Sequence, residues 1–471
     1  MDQSDGKFVR LYGMLRAAIA GGGLPAGARL SSSRELAARN DVSRGTVVAV
    51  FDQLRADGFI EARHGAGTFV RRAVDTTRPR APSRGKLPPL QPRTRTPFPR
   101  TIRQAPRPFR ANLPDVSLFP RRTWARLSGS LWRGAGAALL GDAEPLGYRP
   151  LRAALAAYLA TTRGVRCDAD QIAIVPGAQA GFDLIARATL RPGDAVWVED
   201  PGYPGSRAVW QAAGAHIVPM TIDMDGASLP GARAPTPRLI SVTPAHQSPL
   251  GMTLSLPRRR ALLERARRAG AWIVEDDYDG EFRYGARPIA ALQGLDPDGR
   301  VIHVGSFSKT MLPALRLGYV VLPPRLVEPV SALISLCLRF ASTIDQAILA
   351  RFVEGGHFNR HIRRLREAYA ARHAVMRAEC RRLLGERLRI DDAAAGLDIV
   401  AWLPPGSSDI AVARRLADVG IESAALSRYR LGAGDPGLVL GVAAFDERAI
   451  RGAVAGMARA IGRGAASPER P

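Results

Sequence analysis

The chain has 471 residues, of which 46% are hydrophobic, and this length is enough for two or three domains with a sizeable core. No apolar run approaches the length that spans a bilayer, and the first residues lack a signal-peptide profile, so the sequence predicts a soluble, cytoplasmic protein with no membrane partner. The net charge of +24 predicts attraction to polyanions, while three widely spaced cysteines argue against a disulfide framework and a zinc site.

The first predicted elements in chain order are the helices of a small N-terminal domain. Apolar residues recur at helical spacing between Phe8 and Leu24. The serines at 31–33 predict the N-cap of a short helix from Arg34 to Asn40, and Ser43 predicts the cap of a further helix. Two short helices joined by a tight turn are typical of a helix-turn-helix, whose second helix enters the major groove of DNA. The residues of this motif expected to contact double-stranded DNA are Ser33, Arg34, Ser43, Arg44 and Thr46.

The next stretch, Phe59 to Val70, predicts two strands around a glycine turn, which together form a wing. Gly65 and Gly67 permit a close approach to the DNA backbone, and Arg63 and His64 are placed to contact it. A protein-docking domain is the alternative. The motifs typical of a known family are Gly27-Ala28-Arg29-Leu30, Ser33-Arg34-Glu35-Leu36-Ala37, Val42-Ser43-Arg44-Gly45-Thr46-Val47 and Gly65-Ala66-Gly67-Thr68-Phe69-Val70. On these motifs the domain resembles the winged helix-turn-helix of the GntR superfamily of bacterial regulators.

Residues 73–111 are rich in proline and arginine and show neither helical nor strand periodicity. Proline favours extended polyproline II segments, so we predict a semi-rigid linker between two domains. Its arginines either contact DNA phosphates or keep a solvated tether extended, and the sequence leaves both alternatives open.

Beyond the linker, helical patterns alternate with short strands rich in β-branched residues. The predicted strands are Gln171–Val175, Ala195–Val198, Arg238–Val242, Trp272–Val274, Val301–Val304 and Tyr319–Leu322. Such alternation predicts an α/β domain with a largely parallel sheet, whose ligands bind beyond the carboxyl ends of the strands.

The strand Val301–Val304 is followed by Ser306, Ser308 and Lys309 and, a short step later, by Arg316. A lysine in a partly desolvated pocket has a lowered pKa and can form a Schiff base with the aldehyde of pyridoxal 5'-phosphate (PLP). The two serines and the arginine would then be donors to the cofactor phosphate. The alternative is a solvated lysine after a core strand, so the interpretation depends on the rest of the domain.

Two other strand ends carry groups that suit the same cofactor. Gly177, Ala178 and Gln179 open a predicted helix, whose free backbone N–H groups form an anion site. Tyr203 follows the next strand and is placed either to stack on a flat heterocycle or to close a proline turn.

A run of acidic residues follows the strand that begins at Trp272. Because side chains alternate along a strand, we expect Asp276 and Tyr278 to share one face and Asp277 to point the other way. A carboxylate and a phenol on one face suit the pyridinium nitrogen and the neighbouring ring hydroxyl of PLP. Together with Lys309, this pair favours PLP over a helix cap or an ion-pair site.

Several motifs of the large domain occur in a familiar order. They include Gly147-Tyr148-Arg149-Pro150-Leu151-Arg152, Pro176-Gly177-Ala178-Gln179, Glu199-Asp200-Pro201-Gly202-Tyr203, Glu275-Asp276-Asp277-Tyr278-Asp279 and Ser306-Phe307-Ser308-Lys309. On these motifs the large domain resembles the fold type I aminotransferases. The whole chain is similar to the MocR-type regulators, in which a GntR-like DNA-binding module is fused to an aminotransferase-like domain.

This resemblance implies a multidomain protein. An N-terminal α+β winged helix-turn-helix would occupy residues 1–72, the linker residues 73–111, and a C-terminal α/β fold type I aminotransferase-like domain residues 112–465. It further implies the roles of the cofactor-binding residues: an aldimine with Lys309, Asp276 at the pyridine nitrogen, Tyr278 at the ring hydroxyl, and Arg316 with Ser306 and Ser308 at the phosphate.

Three departures from the aminotransferase pattern bear on activity. Ser248 stands where aminotransferases usually carry an asparagine, which weakens one donor to the ring hydroxyl. Val439 stands where many aminotransferases place the arginine that binds a substrate carboxylate, and Arg428 or Arg430 is the candidate to serve instead. Leu140 replaces a tyrosine that often reaches the neighbouring subunit's phosphate. These losses leave aldimine chemistry intact but argue against full transaminase turnover.

The resemblance therefore implies a PLP-dependent, DNA-binding transcriptional regulator that senses PLP or an amine or amino-acid effector through the lysine aldimine. Fold type I proteins build their sites at a subunit interface, so it also implies a homodimer in which each DNA module crosses to the partner. Two modules per dimer predict an operator with repeated half-sites. The alternatives are a catalytically active aminotransferase with an accessory DNA-binding module and a regulator that has lost the cofactor.

Overall fold

A computed structural model of the protein describes residues 3–71, 97–98, 105–284, 289–391 and 395–464. Most of the predicted linker, residues 73–96 and 99–104, lies outside the described residues, as does residue 72. The chain divides into two compact units, at residues 1–91 and 92–471. Of the helices in the described part of the chain, none combines the length and the apolar character that crossing a membrane requires.

In the first unit, the described helices precede a β-hairpin: α1 (Gln3–Ala20), α2 (Ser33–Asn40), α3 (Arg44–Ala56), β1 (Ile60–Arg63) and β2 (Gly67–Val70). Ser32 begins α2 through a capping box with Glu35. The Ser43 hydroxyl accepts a hydrogen bond from the Thr46 N–H at 3.0 Å and so caps α3. These caps start the two helices on either side of a short turn, which confirms the predicted helix-turn-helix.

The hairpin completes the wing. β1 and β2 pair antiparallel, from Ile60 opposite Val70 to Arg63 opposite Gly67. The Leu30 N–H donates to the Thr68 carbonyl at 2.8 Å, so the segment before α2 adds a further pairing to the hairpin. The buried side chains shared by the helices and the hairpin include Leu11, Leu15, Leu36, Val47, Val50, Leu54, Ile60 and Val70.

The second unit contains the remaining described elements. Its helices are α4 (Arg121–Gly134), α5 (Ala137–Leu140), α6 (Arg149–Arg163), α7 (Ala178–Thr189), α8 (Pro204–Ala212), α9 (Leu256–Ala269), α10 (Phe307–Thr310), α11 (Pro324–Cys337), α12 (Thr343–Glu354), α13 (His357–Leu384), α14 (Asp409–Asp418) and α15 (Glu447–Gly464). Its strands are β3 (Ile172–Val175), β4 (Ala195–Asp200), β5 (His216–Asp223), β6 (Gly226–Ala227), β7 (Leu239–Val242), β8 (Trp272–Asp277), β9 (Val301–Ser306), β10 (Gly318–Val321), β11 (Arg389–Ile390), β12 (Asp398–Trp402), β13 (Ala424–Ala425) and β14 (Gly437–Gly441).

A large mixed sheet forms the centre of this unit, in the order β3-β10-β9-β8-β7-β4-β5-β6. Strands β5, β4, β7, β8 and β9 run parallel, whereas β10 is antiparallel to both of its neighbours. The strands are apolar on both faces because helices cover both, α7 and α11 on one side among them. The six predicted strands and the α/β class are confirmed, and the carboxyl ends of β4, β7, β8 and β9 meet at one edge.

A smaller antiparallel sheet, β11-β12-β14-β13, packs against α13, α14 and α15. Its strands are short and interrupted, and the sequence did not predict them. The last residues of the predicted linker lie on this sheet: Phe109 is fully buried and forms a bridge with Gly441, and the Pro108 carbonyl accepts a hydrogen bond from the Glu422 N–H at 2.9 Å. We term residues 105–115 the strap, because this segment joins the linker to the small sheet.

Candidate functional site

The expected DNA contacts of the helix-turn-helix lie at the surface around the start of α3. The hydroxyls of Ser43 and Thr46 are 2.8 Å apart, and the Arg44 Nε donates to the Ser33 Oγ at 3.3 Å. Arg34 is exposed in the first turn of α2. The hydrogen bonds thus link Ser33, on α2, to the hydroxyl-rich start of α3, which presents polar groups at the helix end that would enter a major groove.

The wing is less positive than its sequence indicates. The Arg63 guanidinium donates to Glu61 Oε1 at 2.8 and 3.0 Å and lies over the Phe69 ring, 4.7 Å from its centroid. Both Arg63 and His64 are exposed, and Gly65 has φ +71° at the turn. Glu61 therefore offsets part of the charge that Arg63 would offer to a phosphate.

Gly67 has a structural reason to be glycine. A Cβ at this position would lie 2.9 Å from the Arg29 Nε, and the backbone has φ +114°, which other residues rarely adopt. Arg29 crosses the hairpin at this point and lines a groove of about 570 Å³ together with Ser33, Arg55 and Thr68. Arg29 is an additional candidate for DNA contact, one that sequence reasoning missed.

In the second unit, Lys309 lies in α10, directly after β9. Burial lowers the pKa of its amine, against the opposing charges of Asp398, Asp279 and Asp276. The Lys309 Nζ donates a hydrogen bond to the backbone carbonyl of Asn112 in the strap. A lowered pKa increases the fraction of uncharged amine, which is the nucleophilic form.

Two adjacent aspartates at the end of β8 have opposite surroundings. The Asp277 carboxylate accepts two hydrogen bonds of 2.8 Å from the buried guanidinium of Arg163. Asp276 faces the other way, and no ion pair with it is found among the described residues. Burial, and then the charges of Asp277, Asp279 and Glu199, raise the pKa of Asp276 to about 8. A buried carboxyl group of this kind is suited to accept an N–H⁺ from a ligand.

Tyr278 lies just beyond the end of β8, one residue past the strand on which the sequence placed it. Its hydroxyl is 3.1 Å from the His246 Nδ1 and is also hydrogen-bonded to the side chain of Ser248. Burial raises the pKa of Tyr278 well above its usual value, so the phenol stays protonated. The same His246 Nδ1 is 2.9 Å from Asp279 Oδ2. Burial lowers the pKa of His246, but the charge and hydrogen bond of Asp279, together with the charge of Asp398, raise it above its usual value.

The turn between β3 and α7 forms a cradle with Arg316. Gly177 precedes α7 with φ +84°, and a Cβ there would lie 3.4 Å from the Arg316 guanidinium. Arg316 Nη2 donates to the Pro176 carbonyl at 2.8 Å. The N–H groups of Ala178 and Gln179 belong to the first turn of α7, where helical carbonyl partners are missing. The cradle therefore combines a guanidinium with free N–H groups, which is a binding site for an anion.

Ser306 is connected to this cradle through the sheet. Ser306 pairs with Gly318 on β10, and the Gly318 backbone abuts the Ala178 N–H, since a Cβ on Gly318 would lie 3.0 Å from that nitrogen. The Ser306 Oγ accepts a hydrogen bond from the Ser308 N–H at 3.1 Å. The Gln179 side chain is engaged elsewhere, because its Nε2 donates to the Gly205 carbonyl at 2.8 Å.

Tyr203 lies between the acidic and the basic ends of this region. The pKa of its hydroxyl is raised by burial and by the charge of Asp276, and is lowered by that of Arg316. A small pocket beside the ring is lined by Glu199, Tyr203, Arg207, Thr243 and Asp276. Arg207 was not predicted from the sequence.

The predicted carboxylate-binding arginines differ from each other. Arg428 is exposed, and its carbonyl accepts a hydrogen bond from Arg207 Nη2 at 3.3 Å. Arg430 is half-buried, and among the described residues its buried Nε has no hydrogen-bond partner. Val439 is 1% exposed and packs with Val400, Leu426 and Tyr429.

Three polar residues that interact with Lys309 or Tyr278 were missed by sequence reasoning, and they come from distant segments. Asn112 lies in the strap, His246 follows β7, and Asp398 begins β12. Each is a single polar residue in an ordinary loop or strand. The sequence signal for Asn112 and His246 was that the adjoining stretches Leu113-Pro114-Asp115 and Thr243-Pro244-Ala245-His246-Gln247 resemble those of aminotransferases.

Comparison with protein families identifies both units. Residues 8–70 match the family described as bacterial regulatory proteins, gntR family. Residues 135–418 match the family described as aminotransferase class I and II, which is more than half of the chain. The first unit thus carries the fold of a DNA-binding domain and the second that of a transaminase.

Two similar regulators match this chain over nearly its whole length. The chain is 40% identical to the probable rhizopine catabolism regulatory protein MocR of Rhizobium meliloti, over 94% of this chain and 91% of that protein. It is 31% identical to the HTH-type pyridoxine biosynthesis transcriptional regulator PdxR of Corynebacterium glutamicum, over 97% and 96%. Among solved structures, the kynurenine aminotransferase of Pyrococcus horikoshii, in complex with PMP and with kynurenine as substrate, is similar with a TM-score of 0.71 and 25% identity, over 76% of this chain and 91% of that one.

Proposed function

Because the chain belongs to the MocR-type transcriptional regulators of the GntR superfamily, we propose that its large domain holds PLP at Lys309 and reports an amine effector to the DNA-binding domain. The observation that carries the proposal is the convergence of Lys309, Asp276 and Arg316, from three segments, at one edge of the sheet. DNA binding follows from the GntR domain. The identity of the effector and the oligomeric state belong to the proposal.

The residues of this region fit PLP. The phosphate would lie in the cradle of Arg316 and the start of α7, where a side chain on Gly177 would occupy the space. The pyridine nitrogen would meet Asp276, and the ring hydroxyl would meet Tyr278. Bound PLP would supply an aldehyde that takes up primary amines reversibly, which no protein side chain offers.

The chain's own groups prepare this chemistry. Burial favours the uncharged amine of Lys309. A cationic ring nitrogen would bring to Asp276 the positive charge that its buried carboxyl group lacks, and the carboxyl group would then ionise. Tyr278, held by His246 and Ser248, keeps a phenolic proton beside the ring.

The strap gives the signal a route toward the linker. Lys309 donates to the Asn112 carbonyl, and the Asn112 N–H donates to Asp398 at 2.9 and 3.1 Å. A lysine amine that is bonded to the cofactor cannot keep its hydrogen bond to Asn112 unchanged. The state of Lys309 therefore alters one end of the segment that continues into the linker, and an effector that favours one state shifts the equilibrium between two arrangements.

A homodimer completes the proposal. The aminotransferase family to which the large domain is similar builds its sites between two subunits, and two GntR domains per dimer would read repeated half-sites on the operator. Buried Val439 and exposed Leu140 replace side chains that support turnover in aminotransferases, so they favour sensing over catalysis.

The test is the visible absorption spectrum of the full-length protein with added PLP, followed by borohydride reduction and peptide mapping. The chain has three lysines, Lys7, Lys86 and Lys309, so the map is decisive. We expect a pyridoxyl group on Lys309 alone and none in Lys309→Ala, with an unchanged circular dichroism spectrum. An adduct on Lys7 or Lys86, or no visible band, would overturn the proposal.

A further inference from the structure

One carboxylate near Lys309 has no role in holding the cofactor. Asp398 begins β12, and both of its oxygens accept from a single donor, the Asn112 N–H. Among the charges that act on the Lys309 amine, that of Asp398 is the strongest. Lys309 acts on Asp398 through its charge, but its Nζ donates to the Asn112 carbonyl and not to this carboxylate. Asp398 therefore keeps the capacity to accept a further hydrogen bond.

The small sheet places this carboxylate on the same face as Val439. β12 and β14 are antiparallel, with Val400 directly opposite Val439 and Asp398 opposite Gly441. Residues two apart on a strand share a face, and directly opposite residues share it too. Asp398, Val400 and Val439 therefore look the same way, toward Tyr429 and Leu250, while Leu440 and Ile399 face the core of α13 and α15.

This face thus carries a negative charge, whereas a site that binds the carboxylate of an amino acid is expected to carry a positive one. Val439 is sealed by Val400, Leu426 and Tyr429 and offers no donor to a carboxylate. The ionisable groups that act most strongly on Asp398 are Lys309, Asp279 and His246, and the last two already pair with each other at 2.9 Å. An α-carboxylate beside the reacting amine would therefore approach the Asp398 carboxylate, and no arginine is among the charges that act most strongly on Asp398.

We infer that Asp398 is a specificity-determining residue, an inference that rests on the proposed function of the site. Asp398 selects amines that bear a hydroxyl or ammonium donor on the carbon next to the amine-bearing carbon, and it disfavours α-amino acids. The effector class is thus an amino alcohol or a vicinal diamine. A hydroxyl or ammonium group of the effector supplies the Asp398 carboxylate with a hydrogen-bond donor in addition to the Asn112 N–H. The half-buried Arg430 is the competing explanation, since a carboxylate held there would not need to approach Asp398.

Alanine and its alcohol, 2-amino-1-propanol, form a matched pair of probes, because they differ only in carrying –COO⁻ or –CH₂OH. Each is titrated into the PLP-loaded full-length protein by calorimetry and by the shift of the visible band. We expect the alcohol to bind at least about tenfold more tightly. In Asp398→Asn, we expect this preference to fall to about twofold or less, chiefly through better binding of alanine. Asp418→Asn, an exposed change of the same charge at the end of α14, should keep the wild-type ratio.

The outcomes separate this inference from the proposed function. Equal or tighter binding of alanine by the wild type, or no binding of either probe to protein that shows the cofactor band, would overturn the inference alone. Alanine binding that is lost in Arg430→Ala would overturn it in favour of the arginine. An Asp398→Asn variant that keeps the full preference would also contradict it. Only the absence of the cofactor band and of the Lys309 adduct counts against PLP binding itself.

Discussion

The two units use charge in opposite settings. In the first unit, Arg34, Arg44 and Arg63 lie at the surface, where water and salt screen each charge. In the second, Asp276 is buried and Lys309 is desolvated, and burial changes the pKa of both groups. Exposed charges attract a polyanion through many weak contacts. Buried charges make few contacts, each of which is costly to break.

The largest effect is expected where the contrast is sharpest, at the neighbouring residues Asp276 and Asp277. Asp277→Asn removes the charge partner of buried Arg163, and we expect it to lower the free energy of unfolding by about 3–5 kcal/mol, measured by urea denaturation. Asp276→Asn is the matched control. It breaks no ion pair and removes the buried carboxyl group whose ionisation opposes folding, so we expect no loss of stability at about pH 7 but weaker PLP binding. Equal losses of stability would show that the two faces of β8 do not differ in this way.

The next effect tests the anion cradle. Arg316→Ala removes a guanidinium that adjoins Gly177, and we expect PLP binding to weaken by roughly 10- to 100-fold, since a hydrogen bond to a charged group contributes about 1.5–3 kcal/mol. Binding is measured from the visible absorption at increasing PLP concentration. Arg325→Ala, an exposed residue on α11, makes the same change of charge. A similar loss in both variants would mean that overall charge attracts the phosphate and that the cradle does not.

The contrast also explains what the sequence could predict. The helix caps at Ser32 and Ser43 and the strands that lead to Asp276 and Lys309 were predictable, because each depends on neighbours within a few residues. Asp398 and Asn112 were not, because they reach Lys309 only through the packing of a small sheet and a strap that lack a periodic pattern. The residues on the effector side of the site are therefore brought together by long-range packing, which local sequence patterns do not reveal.

A pH profile separates burial from ion pairing at Asp276. In the folded, cofactor-free protein its pKa is about 8, against an ordinary value of 3.8, so the folded state holds this proton more tightly than the unfolded state. The free energy of unfolding should therefore fall as pH rises from about 4 to about 8, and the contribution of Asp276 should be constant outside that range. Asp276→Asn should remove this dependence of stability on pH. We would measure urea denaturation across that range for both proteins; parallel profiles would contradict the burial of an uncompensated carboxyl group.

The smallest effects are expected in the DNA-binding domain, and they test whether its exposed arginines are equivalent. Arg44 donates a hydrogen bond to the Ser33 hydroxyl and has no ion pair among the described residues, whereas Arg63 is paired with Glu61 at 2.8 Å. For operator DNA we expect Arg44→Ala to make the slope of log K against log salt less negative by about 0.9, the value for one lost phosphate contact. Arg63→Ala should change the slope by less, because Glu61 already offsets its charge, and Glu61→Gln should strengthen binding. Neither arginine variant should change the free energy of unfolding by more than about 0.5 kcal/mol, in contrast to the buried pair at Asp277. If Arg63→Ala had the larger effect on the slope, Glu61 would have to release Arg63 when DNA binds.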